Sequence, residues 1–334
     1  MQFKIVSIGD YMTGENAHHY KRGIATKFRN RYNELINEEV KKIISNGDFL
    51  FLNFESSLAD EERLKTLPIN DAVYVAPLET IQLLKQLEIP IIANIANNHF
   101  AQHGAEACKF TIDQLESNGI YVIGKSNIPL RIQIDGTSLV IWGVSLVRDN
   151  TGESNYFKSN YNDLLKDLEH LEKGKDEYHI ISIHWGKEYH TLEDNAQKEL
   201  ASKLSEIGFD LILGHHPHTI QPVEKINNTW VCYSHGNFLF DQNFSSITQQ
   251  GLITRLSVPE NHMEVYITQQ KNFKVVRLIQ VTIEELKKFC SKNFSIRKPT
   301  KMRILMKLEL LTHFYELNLS TIKLFTHRLY KSIK

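Results

Sequence analysis

Cysteine is scarce. Cys108, Cys232 and Cys290 are the only three in 334 residues, and no C-x-x-C pair occurs. An odd, dispersed set excludes a disulfide framework and suits a reducing compartment. Long hydrophobic runs are lacking too: no stretch of about 18 apolar residues occurs, so no transmembrane helix is expected. The apolar run at the N-terminus is too short for a signal peptide and leads straight into a motif, so a cytoplasmic protein is expected. No G-x-x-x-x-G-K-[ST] loop is present for ATP-dependent chemistry. Net charge is lacking, with Lys plus Arg and Asp plus Glu both at 39. A balanced chain argues against a nucleic-acid partner. The balance hides an asymmetry: residues 297–334 hold nine Lys or Arg and two Glu, a net of +7, so the rest carries −7.

What is present is enough apolar material, 42% of residues, for a large core. Short apolar runs alternate with helical periodicity, which indicates an α/β fold. Strands are expected at Phe3–Ile8, Phe49–Phe54, Ile89–Ala96, Ile120–Ile123, Leu139–Val144, Tyr178–Ile183, Asp210–Leu213 and Trp230–Ser234. Helices are expected over 34–45, 78–88, 104–118, 161–173 and 194–207. Residues 251–283 alternate without helices and are expected to form antiparallel strands closing a second sheet; the pattern beyond is helical.

Polar clusters follow these strands: Gly9-Asp10, Asn53-Phe54-Glu55, Asn97-Asn98-His99, His184-Trp185-Gly186-Lys187-Glu188-Tyr189, Gly214-His215-His216-Pro217-His218 and His235-Gly236-Asn237. Ligands of α/β sheets gather at the carboxyl ends of strands, so distant clusters can meet. Carboxylate, imidazole and amide oxygen suit Mn, Fe or Zn, and a dinuclear site draws on such donors. In an extended segment His216 and His218 would point to one side, with Pro217 stiffening the loop and Gly214 allowing a tight strand exit. Taken singly, Gly9-Asp10, Glu55 and Asn97-Asn98-His99 read as turns, loop charges or a hydrogen-bonded histidine, and His184 reads evenly. Gly214-His215-His216-Pro217-His218 already favours metal, because three histidines in four positions are costly to bury unligated; the ordered set points to metal.

These motifs, with Gln221-Pro222, Phe238 and Phe240-Asp241, resemble the CapA family of capsule and poly-γ-glutamate synthesis over roughly residues 3–283. The resemblance implies a calcineurin-like metallophosphoesterase sandwich, two mixed β-sheets flanked by helices, over 1–284, with a basic amphipathic helical extension over 285–334. It implies two divalent ions. Asp10 and His218 would hold the first, Glu55 would bridge, and Asn98, His184 and His216 would hold the second. His99 would be the general acid. His215 would stand behind the ligands or exchange roles with them, and Asn97, Glu188, His235 and Asn237 would support the site or meet substrate. The chain departs from the family at Gln102, where Asp is common, and at His235, where Leu is common. It departs from ordinary phosphoesterases at Met12, where they carry His. His18, His19 and His235 are spare ligand candidates. The implied substrate is a phosphoester, an anionic polymer or a glycan; the competing reading is a metal-containing assembly or export factor without catalysis, and amide-bond chemistry on glutamate ranks third.

The tail alternates Lys and Arg with Leu308, Leu311, Tyr315, Leu319 and Ile322 at near-helical spacing. It is expected either to lie on an anionic membrane at the inner face of the plasma membrane or to pack on the body. Liposome co-sedimentation of the full chain against a truncation after residue 296 separates the two: anionic vesicles at low salt should retain only the full chain if the tail binds lipid.

Overall fold

The computed structural model describes residues 2–19, 21–67, 73–149 and 155–292. The basic tail beyond Lys292 and the side chain of His18 lie outside the described residues. Along the chain the strands are β1 (Phe3–Tyr11), β2 (Phe49–Phe54), β3 (Ser57–Ala59), β4 (Val75–Pro77), β5 (Ile91–Asn94), β6 (Tyr121–Ile123), β7 (Leu130–Ile134) and β8 (Thr137–Ser145). They continue as β9 (Glu177–His184), β10 (Leu211–His215), β11 (Val223–Ile226), β12 (Thr229–Cys232), β13 (Asn237–Leu239), β14 (Gln250–Val258), β15 (His262–Lys271) and β16 (Lys274–Val281).

Two mixed sheets carry the fold. The first runs β16-β15-β14-β1-β2-β5-β6, with β13 also paired to β1. Its β1, β2, β5 and β6 are parallel. The second runs β11-β12-β10-β9-β8-β7, with β12, β10, β9 and β8 parallel. Side chains alternate across each strand, and this alternation sorts them into three apolar layers. Phe3, Ile5, Phe51 and Ile92 of the first sheet share one core cluster with Ile141, Ile180, Leu211 and Leu213 of the second. The alternate residues Val6, Ile8, Leu50 and Leu52 face an outer layer with the helices Glu38–Ser45 and Gly104–Ser117. Ile181, Ile183 and Ile212 face the helices Tyr161–Leu168 and Asn195–Ile207 on the other side.

Local signals explain the helix ends. Asp194 accepts from the backbone of Gln197, whose side chain returns the bond, and Gly208 closes the helix at φ 111°. This is a capping box followed by a left-handed stop. Other helices are shorter than their periodicity suggested. The expected helix over 34–45 is α-helical only from Glu38, where Asn37 caps it, and the one over 161–173 ends at Leu168.

The larger correction concerns residues 251–283. They form antiparallel strands, but β14 pairs with β1, so they extend the first sheet rather than close a second. The hairpin pattern specifies β14–β16 pairing locally; the second partner of β14 is a long-range choice. Beyond β16, the helix Ile283–Lys292 seats Leu286 and Cys290 in buried positions, and Thr191 donates to the Cys290 carbonyl at 2.7 Å. Among the described residues no helix is long and apolar enough to cross a membrane.

Candidate metal centre

The parallel strands deliver the polar residues to one edge. In the first sheet Asp10 is in register with Asn53 and Asn53 with Asn94; Glu55 and Asn97–His99 follow directly. In the second, His184 is in register with His215. Neighbouring backbone segments crowd together there within each sheet. A Cβ on Gly9 would lie 2.1 Å from the Gly236 carbonyl, and one on Gly214 2.0 Å from the Tyr233 carbonyl. Gly214 thus sits inside β10 and serves close backbone approach rather than a strand exit.

Asp10, Glu55 and His184 are fully buried, and one donor atom from each lies within 4.8 Å of the others. His218 Nδ1 lies 3.2 Å from Asp10 Oδ2 and its Nε2 3.6 Å from Glu55 Oε1. His215 Nδ1 lies 3.3 Å from Asp10 Oδ1. His184 Nε2 meets Asn98 Oδ1 at 2.8 Å, and the His184 and His216 rings are 4.8 Å apart. Asp10, Glu55, His184, His216, His218 and Asn98 therefore converge. The His216 and His218 backbones are not extended but left-handed, at φ 97° and 54°, so a strained loop rather than strand alternation aims both rings.

The remaining residues arrange around this group. Asn97 donates to the Phe54 carbonyl at 2.9 Å and accepts from the His99 backbone at 3.2 Å, bracketing the loop. Asn237 Oδ1 lies 3.0 Å from His218 Nδ1. His235 stands behind His215, ring centroids 5.4 Å apart, and bonds to Thr254 Oγ1 at 3.0 Å. Glu188 is exposed, and its charge acts on Glu55 and His218. His19 is 3.8 Å from Asp241, outside this cluster. The sequence motif assigns Asn53 no role, but the structure does. Its amide donates to Asp10 Oδ1 at 2.8 Å and Glu55 Oε2 at 2.9 Å. The signal was its position near the end of β2, two residues before Glu55, a spacing that in extended backbone puts both side chains on one face.

The protein's own groups set the electrostatics. Burial, then the Asp10 charge, push Glu55 well above the usual carboxylate range. Burial would raise Asp10 as well, but His215 and His218 outweigh it and hold the carboxyl well below its ordinary value. Burial, aided by neighbouring histidines, keeps His184 well below its ordinary value and His216 down at about 3. Both imidazoles are thus neutral and ready to ligate. Glu55 Oε1, His216 Nδ1 and His215 Nε2 have no hydrogen-bond partner. Buried orphan donors and acceptors of this kind are costly, and a divalent cation satisfies such lone pairs. The residues present fit a metal.

His218 differs. Burial opposes its charge, but Glu55 and Asp10 prevail and raise it to about 10. A folded value above the ordinary 6.5 means its stabilisation is complete below 6.5 and fades as pH rises through 10. A metal and this proton compete for the same site. Metal loading near pH 8 is expected to release protons held by His218 and Glu55, both of which are raised, read by calorimetry in buffers of different ionisation enthalpy. Equal heats in all buffers would remove His218 from the ligand set.

Residues 4–242 match the family of the bacterial capsule synthesis protein PGA_cap. The chain belongs to this family. Every site position discussed above, from Asp10 to Asn237, falls within the PGA_cap span, while β14–β16 and the helix Ile283–Lys292 follow it. The chain is 26% identical over 229 residues to the "PGA biosynthesis protein CapA" of Bacillus subtilis (strain 168), covering 64% of this chain and 59% of that one. It is 26% identical over 265 residues to the "Capsule biosynthesis protein CapA" of Bacillus anthracis, covering 74% and 62%. The chain thus spans about three fifths of the length of the curated relatives it matches. The structure is also similar to TT1561 of Thermus thermophilus, with TM-score 0.47 and 12% identity, covering 79% of this chain and 98% of that one.

Proposed function

We propose that this chain is a dinuclear metal-dependent phosphoester hydrolase serving capsule, surface-polysaccharide or polyglutamate synthesis. One observation carries the reading: two fully buried carboxylates, Asp10 and Glu55, face His184 with donor atoms within 4.8 Å. Buried carboxylates this close repel when both are charged; a proton or His218 relieves this in part, and a cation held between them would satisfy both.

Asp10 and His218 would hold one ion and Asn98, His184 and His216 the other, with Glu55 between them. Bound ions would neutralise phosphoryl charge and activate a water. The protein groups do the rest. Asn53 holds both carboxylates in place through one amide. His99 lies at the half-buried side of the cluster, Nε2 3.9 Å from Glu55 Oε1, within reach of a leaving group. The substrate would be a phosphoester on a polymer, a glycan or its precursor.

The reading is tested by assaying the metal-loaded full chain against a panel of phosphomonoesters and phosphodiesters. Turnover that chelation removes supports it. Bound metal with no turnover on any ester would favour the alternative, a metal-containing polymer-binding or assembly factor.

A further inference from the structure

Left-handed backbone is tolerated by short polar residues in turns. Asp135, Asn227, Asn261 and Asn272 adopt it here, each in a turn between consecutive strands. Bulky residues adopt it at a cost that only an over-determined environment sustains, and such sites cluster where function needs them. Four of them gather at the metal centre: His216, His218, Tyr189 (φ 62°) and Tyr74 (φ 59°). His216 and His218 are explained as ligands. Tyr189 donates its backbone N–H to the Pro217 carbonyl at 2.7 Å, so it braces the ligand loop. Tyr74 braces no ligand.

Its surroundings show what it does. The backbone of Tyr74 is pinned on both sides: its N–H donates to the Glu15 carbonyl at 2.8 Å, and its carbonyl accepts from Ser57 at 3.0 Å. Its ring stacks on His99, centroids 3.7 Å apart and planes 16° apart. Phe240 stands edge-on behind it at 6.3 Å. The His99 edge is held separately, Nδ1 lying 3.2 Å from Gln102 Oε1. Face and edge are thus restrained by different residues, and Nε2 is left pointing at Glu55, 3.9 Å away. Tyr74, Asn98 and His99 are half-buried, whereas Asp10, Glu55, His184, His216 and His218 are buried. Tyr74 therefore stands on the less buried side of the group.

We propose that Tyr74 is a positioning residue for His99: its ring and the Gln102 amide together hold the imidazole in one plane and one tautomer, Nδ1–H, with Nε2 presented to the metal centre. A restrained imidazole costs less ordering when a substrate arrives, and a ring nitrogen is committed by the bond its partner nitrogen makes. The inference rests on the role given to His99 above only for its consequence in turnover, not for the geometry.

Two measurements test it. In the metal-free full chain with ¹⁵N-labelled histidine, the His99 signals, identified by their loss in His99→Ala, should show a single Nδ1–H tautomer. Tyr74→Leu, which keeps bulk but removes the flat face, and Gln102→Leu should convert them to an averaged pattern. Tyr74→Phe, which keeps the ring, should not. In the metal-loaded protein, Tyr74→Leu should lower kcat about 10- to 100-fold with KM and metal content unchanged, and Tyr74→Phe should restore it. Wild-type His99 signals in Tyr74→Leu, or a Tyr74→Phe as impaired as Tyr74→Leu, would overturn the proposal. If the wild type hydrolyses no phosphoester, the spectra still decide the positioning role, and only the hydrolase reading falls.

Discussion

Asp10→Ala, His184→Ala and His216→Ala are each expected to bind at least one metal equivalent fewer than the wild type, which should hold about two per chain. Asp10 and Glu55 are both fully buried, and each removed ligand leaves the others with charge or lone pairs facing nothing. Elemental analysis after metal-supplemented purification reads the difference. Metal removal should also lower stability, because a ligand that binds only the folded state at about 1,000 times its Kd contributes about 4 kcal/mol. Chelation should therefore shift the melting temperature of the wild type downward and shift the three variants less. Unchanged metal content in all three would end the metal-centre reading.

His99→Ala is expected to lower turnover by about 10²–10⁴-fold, the contribution typical of a general acid, with metal content retained. The retention follows from geometry: His99 Nε2 is 3.9 Å from Glu55 Oε1 and its Nδ1 is engaged by Gln102. Burial pushes its pKa down to about 4, so without substrate the imidazole is neutral near pH 7. Proton donation then requires the incoming phosphoryl charge to raise its proton affinity, as a nearby anion does. Elemental analysis alongside steady-state kinetics checks both halves. Loss of metal would make His99 a ligand, and full activity would take it out of the mechanism.

The local signals in the chain were strong where one side chain reports on its own neighbours. Short apolar runs placed β1, β2, β9 and β10, and the polar residues after them were legible as a convergent group because parallel strands share one carboxyl edge. The gathering of Asp10, Glu55, Asn98, His184, His216 and His218 follows from that. The pattern could not say that β14 would pair with β1, since any apolar strand of the right length suits a sheet edge and the choice depends on contacts hundreds of residues apart. Nor could it show why Gly214 is glycine, because the atom that excludes a side chain there is the carbonyl of Tyr233, just after β12.

Two further residues show the same division. Asn53 was visible only as part of Asn-x-Glu, and its task of holding two carboxylates appears once Asp10 arrives from another strand. Tyr74 gave no sign at all, standing in a loop with no motif, until its ring is seen on His99. By itself the sequence determined which donor types stand at the strand ends, because strand period and residue chemistry are local properties. Only the tertiary structure decided which nitrogen faces which oxygen and which ring restrains which imidazole. Those depend on strand register and close backbone approach, and distances of a few ångströms between remote residues are not encoded in any single stretch of chain.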